Sequence, residues 1–275
     1  MKNKFIFFGT SNFSVYVLDA LLEKGYAPIA VVTFHDKPNG RNLTLVPNPV
    51  KVWAQQHAIE VIETDSVRSE LHLTQLKHRK ADVFVVASFG KIMPKELIYL
   101  PPHKTLNVHP SLLPKLRGPA PIQGAILGEE KTGVTIMRID EKMDEGPILA
   151  SEEVVFPTWP VHYAVAEKKL GQTGGELLAR ILPMWVNGEV RETEQNAPLA
   201  TYTKMIKKTD ADISNDNPES ALRKIHAYST WPRARKGALI ITDAHIEGGA
   251  LVLDKVIPPG RKEMKYTDYL RGHSK

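Results

Sequence analysis

The chain has 275 residues, of which 42% are hydrophobic and 24% are charged, and this balance is typical of a folded globular protein. At about 150 residues per domain, the length predicts roughly two domains and excludes global disorder. The absence of cysteine excludes disulfide frameworks, thiolate nucleophiles, iron–sulfur clusters and cysteine-ligated zinc. The N-terminal apolar run stops at Gly9 and no run reaches the ~18 residues of a membrane span, so we expect a cytoplasmic protein with neither signal peptide nor membrane segment.

The net charge of +5 is unevenly distributed along the chain. Residues 1–200 carry 22 basic and 22 acidic side chains, whereas residues 201–275 carry 14 basic and 9 acidic ones. A local basic excess favours a phosphate-bearing partner, although a solvated basic surface gives the same count. Charge alone leaves both interpretations open.

Short apolar runs alternate with helical segments in the first part of the chain. This alternation predicts a Rossmann-like, mostly parallel sheet, and runs that are apolar throughout suit strands buried on both faces. Two further strands and a long helix complete this predicted domain. The predicted strands are 4–8, 28–34, 82–88, 104–108, 133–140 and 147–156, and the helices are 14–24, 49–57, 69–80 and 161–187.

The polar segment 190–205 lacks sustained periodicity and is predicted to link a first domain, 1–189, to a second, 206–275. The second domain is expected to be small and rich in β-structure, with a helix at 218–229. Its strand-like runs are 237–242 and 249–257.

Polar residues are dense between 105 and 149. Asn107 and His109 are two residues apart at the end of a predicted strand, which puts both on one side at the carboxyl edge of the sheet. Taken alone, such a pair more commonly caps a loop. Asp144 lies in an acidic loop, 140–146, that periodicity cannot place beside His109, and a metal site built from His109 and that loop matches no standard ligand spacing.

The loop GTSNF at 9–13 joins a predicted strand to a helix and could offer backbone N–H groups to an anion. It lacks the G-x-G-x-x-G spacing, and the chain contains no G-x-x-x-x-G-K-[ST] motif, so nicotinamide and ATP-hydrolysing enzymes are disfavoured. Gly9 by itself indicates an ordinary tight turn.

Two long motifs, NVHPSLLPKLRGPAPIQGAIL (107–127) and EKTGVTIMRIDEKMDEGPIL (130–149), resemble the folate-dependent formyltransferase family. Further matches cover nearly the whole chain in order and extend to a C-terminal domain of the oligonucleotide/oligosaccharide-binding type. They are FFGTSNFSV (7–15), VVTFHDKPNGR (31–41), PNPVK (47–51), FGKIMPKE (89–96), ATYTKMI (200–206), WPRA (231–234) and PGRKEMKYTDYLRG (259–272).

The resemblance, strongest to members that act in translation initiation, implies transfer of the formyl group of 10-formyltetrahydrofolate to the α-amino group of methionyl initiator tRNA. It implies catalysis by Asn107 as oxyanion donor, His109 as proton carrier and Asp144 as its carboxylate partner, with no metal. The implied folate residues are Phe89, Gly90, Lys91, Ile92, Met93, Pro94, Ser111, Leu112, Leu113, Pro114, Asp140 and Glu141. The implied acceptor and tRNA residues are Gly9, Thr10, Phe13, Lys37, Arg41, Lys204, Lys207, Lys208, Arg233, Arg235 and Lys236.

The chain departs from the family pattern in two segments that are expected to contact the tRNA. The loop 36–47 has only Lys37 and Arg41 as cations, and only 69 residues follow Ile206, so the C-terminal domain is shortened. We therefore keep two alternatives: a folate-dependent N-formyltransferase acting on an amino-sugar nucleotide, and a catalytically silent RNA-binding protein. A monomer is expected.

Overall fold

A computed structural model describes residues 3–39 and 44–272 of the chain. The chain forms two compact units. Unit 1 comprises Met1–Gly118, Thr132–Val154 and Glu167–Tyr202, and unit 2 comprises Pro119–Lys131, Val155–Ala166 and Thr203–Lys275, within those described ranges.

Unit 1 is built on a seven-stranded sheet with the order β5-β2-β1-β6-β7-β8-β9. The five strands from β5 to β7 run parallel, whereas β8 and β9 are antiparallel. A separate hairpin is formed by β3 and β4. The strands are β1 (Phe5–Gly9), β2 (Ala30–Thr33), β3 (Lys37–Asn39), β4 (Thr44–Val46), β5 (Glu60–Glu63), β6 (Val83–Ala87), β7 (Thr105–His109), β8 (Thr132–Arg138) and β9 (Ile148–Val154).

Helices connect the strands of unit 1, and others belong to unit 2. Ser11 caps α1 by accepting a hydrogen bond from the Ser14 N–H, and Asn48 caps α2 with Pro49 in the first helical turn. No helix within the described residues is both long enough and apolar enough to cross a membrane. The helices are α1 (Asn12–Glu23), α2 (Pro49–Gln56), α3 (Glu70–His78), α4 (Lys95–Ile98), α5 (Pro121–Gly128), α6 (Tyr163–Val186), α7 (Pro218–Ala227) and α8 (Tyr266–Arg271).

The core of unit 1 lies around its central strands. All five residues of β1 and of β6 are buried, as their continuous apolar sequence predicts. Phe8 contacts Phe84 on the neighbouring strand and Phe89 in the following loop, with ring centroids 5.2 and 5.4 Å apart. These rings fix the loop after β6 at the edge of the sheet where the candidate site lies.

Unit 2 contains a four-stranded antiparallel sheet packed on α7. Its core includes Ile225 of α7, Ile241 and Val256, all at most 1% exposed. The segment that carries α5 also belongs to this unit. The strands are β10 (Arg235–Lys236), β11 (Leu239–Glu247), β12 (Ala250–Ile257) and β13 (Met264–Lys265).

The predicted fold class is confirmed: a mostly parallel, Rossmann-like sheet accompanies a small β-rich C-terminal sheet. Each predicted strand and helix is present within a few residues of its expected bounds. Several short elements are not apparent from the sequence, among them β5, because its charged ends, Glu60 and Glu63, obscure a short strand. The predicted linker, 190–205, belongs to unit 1 as far as Tyr202. Within it, Thr193 forms a β-bridge with Ile148 of β9.

Candidate active site

The strand order reverses at β1, which is the feature that places a ligand site in open α/β sheets. The chain builds β2 and β5 on one side of β1, then returns to β6 and β7 on the other. Hydrogen bonds join the carboxyl ends of β1 and β6. Thr10 Oγ1 donates to the Ser88 carbonyl at 3.0 Å, and Ser14 Oγ donates to the Ala87 carbonyl at 2.6 Å. The loops after β1, β6 and β7 therefore meet at one edge of the sheet.

Asn107 and His109 both lie in β7, two residues apart, so their side chains share one face of the sheet. Asn107 is half-buried. Its side-chain carboxamide makes no hydrogen bond with any residue in the described part of the chain. The amide N–H groups of Asn107 are thus available to an oxygen of a bound substrate.

The imidazole of His109 is buried between two oxygen acceptors. Its side chain is 5% exposed, with Nε2 3.1 Å from the Leu116 carbonyl oxygen and Nδ1 3.7 Å from Oδ1 of Asp144. Because a carbonyl oxygen only accepts, Nε2 carries a proton, and Nδ1 is the nitrogen that gains or loses one. A doubly protonated ring can donate to both acceptors.

Asp144 reaches His109 through a turn that folds back over the sheet. Since β8 pairs Leu106 with Arg138, it ends beside the start of β7, at the far end from His109. Asp144 has a φ of +54°, a left-handed conformation unfavourable for a residue other than glycine. Its Oδ2 accepts a hydrogen bond from the Gly118 N–H at 2.7 Å, which leaves Oδ1 facing the imidazole.

The turn that carries Asp144 is held by Gln195 and a buried arginine. Gln195 Nε2 donates to the carbonyl oxygens of Asp144 and Gly146 at 2.8 and 2.7 Å. Its Oε1 accepts from Nε and Nη2 of Arg117 at 3.0 and 2.9 Å. Arg117 is 3% exposed and lies 3.5 Å from Oε1 of Glu145, so its buried charge has a carboxylate partner.

Gly146 makes the tight turn possible. A Cβ atom at this position would lie 1.9 Å from the carbonyl oxygen of Arg138, much closer than any real contact. Only glycine allows the backbone to approach β8 this closely.

The loop after β7 is fixed by Thr135, a residue of β8 that pairs with His109 on β7. Thr135 is fully buried; its Oγ1 donates to the Ser111 carbonyl at 2.7 Å and accepts from the Leu113 N–H at 3.1 Å. Ser111 is also fully buried, whereas Leu112 and Pro114 are partly exposed. Of this predicted folate segment, Leu112 and Pro114 are the residues that a ligand can contact.

The second predicted folate segment follows β6. Its exposed residues are Gly90, Lys91 and Ile92; Pro94 is partly exposed, and the two core residues, Phe89 and Met93, are 2% and 7% exposed. The third segment contributes Asp140, partly exposed, and Glu141, exposed. Lys95 Nζ lies 2.9 Å from Glu141 Oε1, so an ion pair joins the loop after β6 to the turn after β8.

The predicted acceptor residues of unit 1 differ in accessibility. Thr10 is partly exposed, whereas Gly9 and Phe13 are buried, Phe13 to 2% exposure. Phe13 can contact a substrate only if its ring leaves the core. Lys37 lies in β3, its side chain outside the described structure, and Arg41 lies outside the described residues.

The basic residues predicted to contact tRNA are all exposed on unit 2: Lys204, Lys207, Lys208, Arg233, Arg235 and Lys236. The Ile213 N–H donates to the Arg235 carbonyl at 2.9 Å. This bond places the residues that follow the turn of Lys207 and Lys208 beside the strand containing Arg235 and Lys236.

Residues 1–162 match the protein family described as formyl transferase. The chain belongs to the formyl transferase family. The family membership predicted from the two long motifs is confirmed, and the protein is an enzyme of this formyl-transferring class.

Two relatives with similar sequences carry the same name. The methionyl-tRNA formyltransferase of Chloroflexus aggregans is 41% identical over 237 residues, which cover 84% of this chain and 75% of the relative. That of Halalkalibacterium halodurans is 36% identical over 302 aligned residues, covering 98% of this chain and 94% of the relative. This second alignment is longer than the 275-residue chain, so the relative contains segments that this formyltransferase lacks.

A solved structure of a sugar N-formyltransferase from a Shewanella species has the same fold. Its TM-score is 0.64 at 18% identity, over 96% of this chain and 100% of that chain. This likeness concerns the fold and does not distinguish between acceptors.

Sequence reasoning missed Arg117, Gln195 and Thr135. Arg117 lies inside the longest family motif but shows no periodicity that predicts burial. Gln195 is one polar residue in a polar segment, 190–205, and nothing local indicates that its amide contacts a turn about 50 residues earlier.

Proposed function

We propose that this enzyme transfers the formyl group of 10-formyltetrahydrofolate to the α-amino group of methionyl initiator tRNA. One observation carries the proposal: the carboxamide of Asn107, which has no hydrogen-bond partner among the described residues, shares a strand face with His109, whose Nδ1 faces Asp144 at 3.7 Å. A hydrogen-bond donor beside a proton carrier is what transfer of an acyl group to an amine requires.

The reaction begins when the amine attacks the formyl carbon. A C–N bond forms, and the carbonyl electron pair moves to oxygen, giving a tetrahedral oxyanion. Asn107 donates an N–H to that oxygen; one such preorganised donor typically lowers the barrier by about 3–4 kcal/mol. Collapse of the oxyanion breaks the bond between the formyl carbon and N10 of the folate.

His109 balances the protons of this exchange. The attacking amine loses one proton, which reaches Nδ1 of His109 through a water positioned by Asp144, and N10 of the folate gains one as it leaves. While the ring is doubly protonated, it donates to the Leu116 carbonyl and to Asp144. The 3.7 Å separation from Asp144 is longer than a hydrogen bond, and such catalytic contacts shorten when substrate binds.

The three predicted folate segments supply the cofactor side of the site. Exposed Ile92 and the partly exposed Leu112 and Pro114 offer apolar surface to the pterin, while backbone groups of the loop after β6 can hydrogen-bond its edges. Gly90, with a φ of +74°, keeps that loop free of a side chain where the ligand approaches.

We assign tRNA binding chiefly to unit 2. Its exposed cations on adjoining segments, Lys207, Lys208, Arg235 and Lys236, suit contacts with backbone phosphates. The relatives named methionyl-tRNA formyltransferase support this acceptor at 41% and 36% identity, whereas the sugar enzyme shares the fold at 18%.

The test is formyl transfer from 10-formyltetrahydrofolate to methionyl initiator tRNA, with uncharged initiator tRNA and methionyl elongator tRNA as controls. Formylation confined to the charged initiator is the expected result. If the folate binds but no tRNA is formylated, the acceptor is wrong, and amino-sugar nucleotides become the substrates to test. If neither folate binding nor turnover is detected, the protein is catalytically silent.

A further inference from the structure

Unit 2 contains a cluster of three potential metal ligands that formyl transfer does not use. His162 precedes α6, His226 lies in the last turn of α7, and Asp243 lies in β11. One ligand atom from each residue lies within 4.8 Å of the other two, and all three residues are partly buried. Segments distant in the sequence thus bring two imidazoles and one carboxylate together.

The separation of His162 from Asp243 fits a shared ion. His162 Nε2 lies 3.3 Å from Asp243 Oδ1. Two ligands about 2.1 Å from a tetrahedral ion stand about 3.4 Å apart. The rings of His162 and His226 have centroids 4.4 Å apart and planes tilted by 41°, close enough to offer nitrogens to one ion.

The surroundings of His226 also suit a ligand. Its Nδ1 lies 3.1 Å from the Pro160 carbonyl oxygen. Because that oxygen only accepts, Nδ1 carries the proton and Nε2 keeps its lone pair for an ion. Metal-binding histidines typically have this outer hydrogen bond, which fixes the tautomer and the ring orientation.

Oδ1 of Asp243 is the oxygen that can bind an ion, because it faces His162. The other carboxylate oxygen, Oδ2, lies 3.7 Å from Nζ of Lys255. The Lys255 side chain is 51% exposed, so the ammonium group can move into solvent when a cation binds.

We propose that His162, His226 and Asp243 bind one divalent transition-metal ion. Two imidazoles and one carboxylate favour Zn²⁺, Co²⁺ or Ni²⁺ over Mg²⁺ and Ca²⁺, which prefer all-oxygen sites. The ion would tie the segment before α6, the end of α7 and β11 together, and so stabilise unit 2. This ion takes no part in the chemistry assigned to Asn107, His109 and Asp144, and the proposal is independent of the acceptor.

The test uses the full-length protein, stripped of metal with a chelator at neutral pH. Isothermal titration with ZnCl₂ and the visible spectrum of added Co²⁺ report binding, and the melting temperature reports stabilisation. We expect one Zn²⁺ per chain, a tetrahedral Co²⁺ spectrum and a melting temperature that rises with Zn²⁺ concentration.

The variants His226→Ala and His162→Gln test the ligands. The His162 side chain is 35% exposed, so we expect His162→Gln to fold even if His226→Ala does not. Loss of either ligand should weaken Zn²⁺ binding at least about 100-fold. The matched control is His245→Ala, which removes the exposed partner of Asp254, 2.8 Å away, from the same unit. The proposal is wrong if the wild-type protein binds no Zn²⁺, or if both ligand variants bind Zn²⁺ as tightly as the His245→Ala control.

Discussion

The side-chain nitrogen of Gln195 donates a 2.8 Å hydrogen bond to the carbonyl oxygen of Asp144. This bond fixes the backbone of Asp144, the residue that faces His109, in a left-handed conformation. Such a conformation costs about 1 kcal/mol or more and persists only because the surroundings hold it. Gln195 is in turn oriented by the buried guanidinium of Arg117, so a segment outside the two family motifs determines where the proposed catalytic carboxylate lies.

The variant Gln195→Ala should therefore lower kcat, because the turn loses both hydrogen bonds and the Asp144 carboxylate moves. A displacement of about 1 Å can cost up to about 100-fold in rate. KM for the folate should change little, since Gln195 contacts none of the predicted folate residues. Steady-state kinetics with both substrates measures the two effects separately.

Glu194→Gln is the control for this variant. Glu194 is exposed, and its side chain makes no hydrogen bond or ion pair in the described part of the chain, so its replacement should leave kcat unchanged. If both variants lose activity equally, the segment acts by its stability and not by positioning Asp144. Unchanged kcat in Gln195→Ala would remove the positioning role altogether.

Asn107→Ala should reduce kcat about 100- to 1,000-fold, the usual effect of removing one oxyanion donor. The half-buried side chain has no protein partner within the described residues, so truncation breaks no internal hydrogen bond. The melting temperature should therefore fall little. Single-turnover kinetics with a bound folate measures the chemical step; a normal rate there would exclude Asn107 as the donor.

The proposed catalytic trio shows which positions the sequence predicts and which it does not. Asn107 and His109 could be placed on one face because strand geometry fixes positions i and i+2. Asp144 could be assigned to His109 only through the family resemblance, since its position depends on an antiparallel strand, on Gly146 and on the amide of Gln195. Such long-range contacts leave no periodic signal in the sequence.

Burial separates the residues within each predicted segment. The family resemblance implies that 89–94 and 111–114 are continuous folate segments, but Phe89, Met93 and Ser111 are core residues that shape the loops from inside. Apolar residues in a loop have the same composition whether they face the core or a ligand, so only the packing around Phe8 and Thr135 distinguishes the two cases.

His109→Ala should lower turnover strongly while folate binding survives, because the lost function is proton transfer. Positioned acid–base catalysis typically contributes about 100- to 10,000-fold. Fluorescence or calorimetric titration with a folate should give a Kd close to that of the wild-type protein. Unchanged turnover would refute the assignment, and equal losses in turnover and folate affinity would indicate that the loop 110–118 has collapsed.

The ion pair between Glu60 and Arg79 gives unit 1 a pH-dependent contribution to its stability. Hydrogen bonds from the Arg79 guanidinium lower the pKa of Glu60 below its usual value. A lowered folded-state pKa means that the contribution is present above the unfolded value of about 4.3 and is lost as the pH falls. Glu60 is half-exposed, so solvent screening limits the pair to about 0.2–1 kcal/mol.

Arg79→Gln should reduce the free energy of unfolding by about that amount more at neutral pH than at a pH where Glu60 is protonated in both states, because the hydrogen bond from Arg79 to the Gln75 carbonyl is lost at either pH. Urea denaturation across the acidic range measures the difference. Arg68→Gln removes the same charge from an exposed side chain without an ion partner in the described structure, so its effect should not vary with pH in this way. Equal profiles for the two variants would contradict the prediction.

Reversing the charges of Arg235 and Lys236 to glutamate should raise KM for tRNA more than KM for the folate. Both side chains are exposed beside the segment of Lys207 and Lys208. If they contact phosphates, the variant should also weaken the dependence of tRNA affinity on salt, because fewer counterions are released on binding. Affinity measured at several salt concentrations gives this slope.

Replacement of Lys168 and Lys169 in α6 by glutamate is the matched control. It changes the net charge equally, on exposed residues of unit 1 that have no ion partner within the described structure. An equal loss of tRNA affinity in both double variants would mean that total charge alone attracts the RNA. An effect confined to the folate would exclude the tRNA surface on unit 2, whereas a flatter salt dependence only in the Arg235 and Lys236 variant would locate phosphate contacts there.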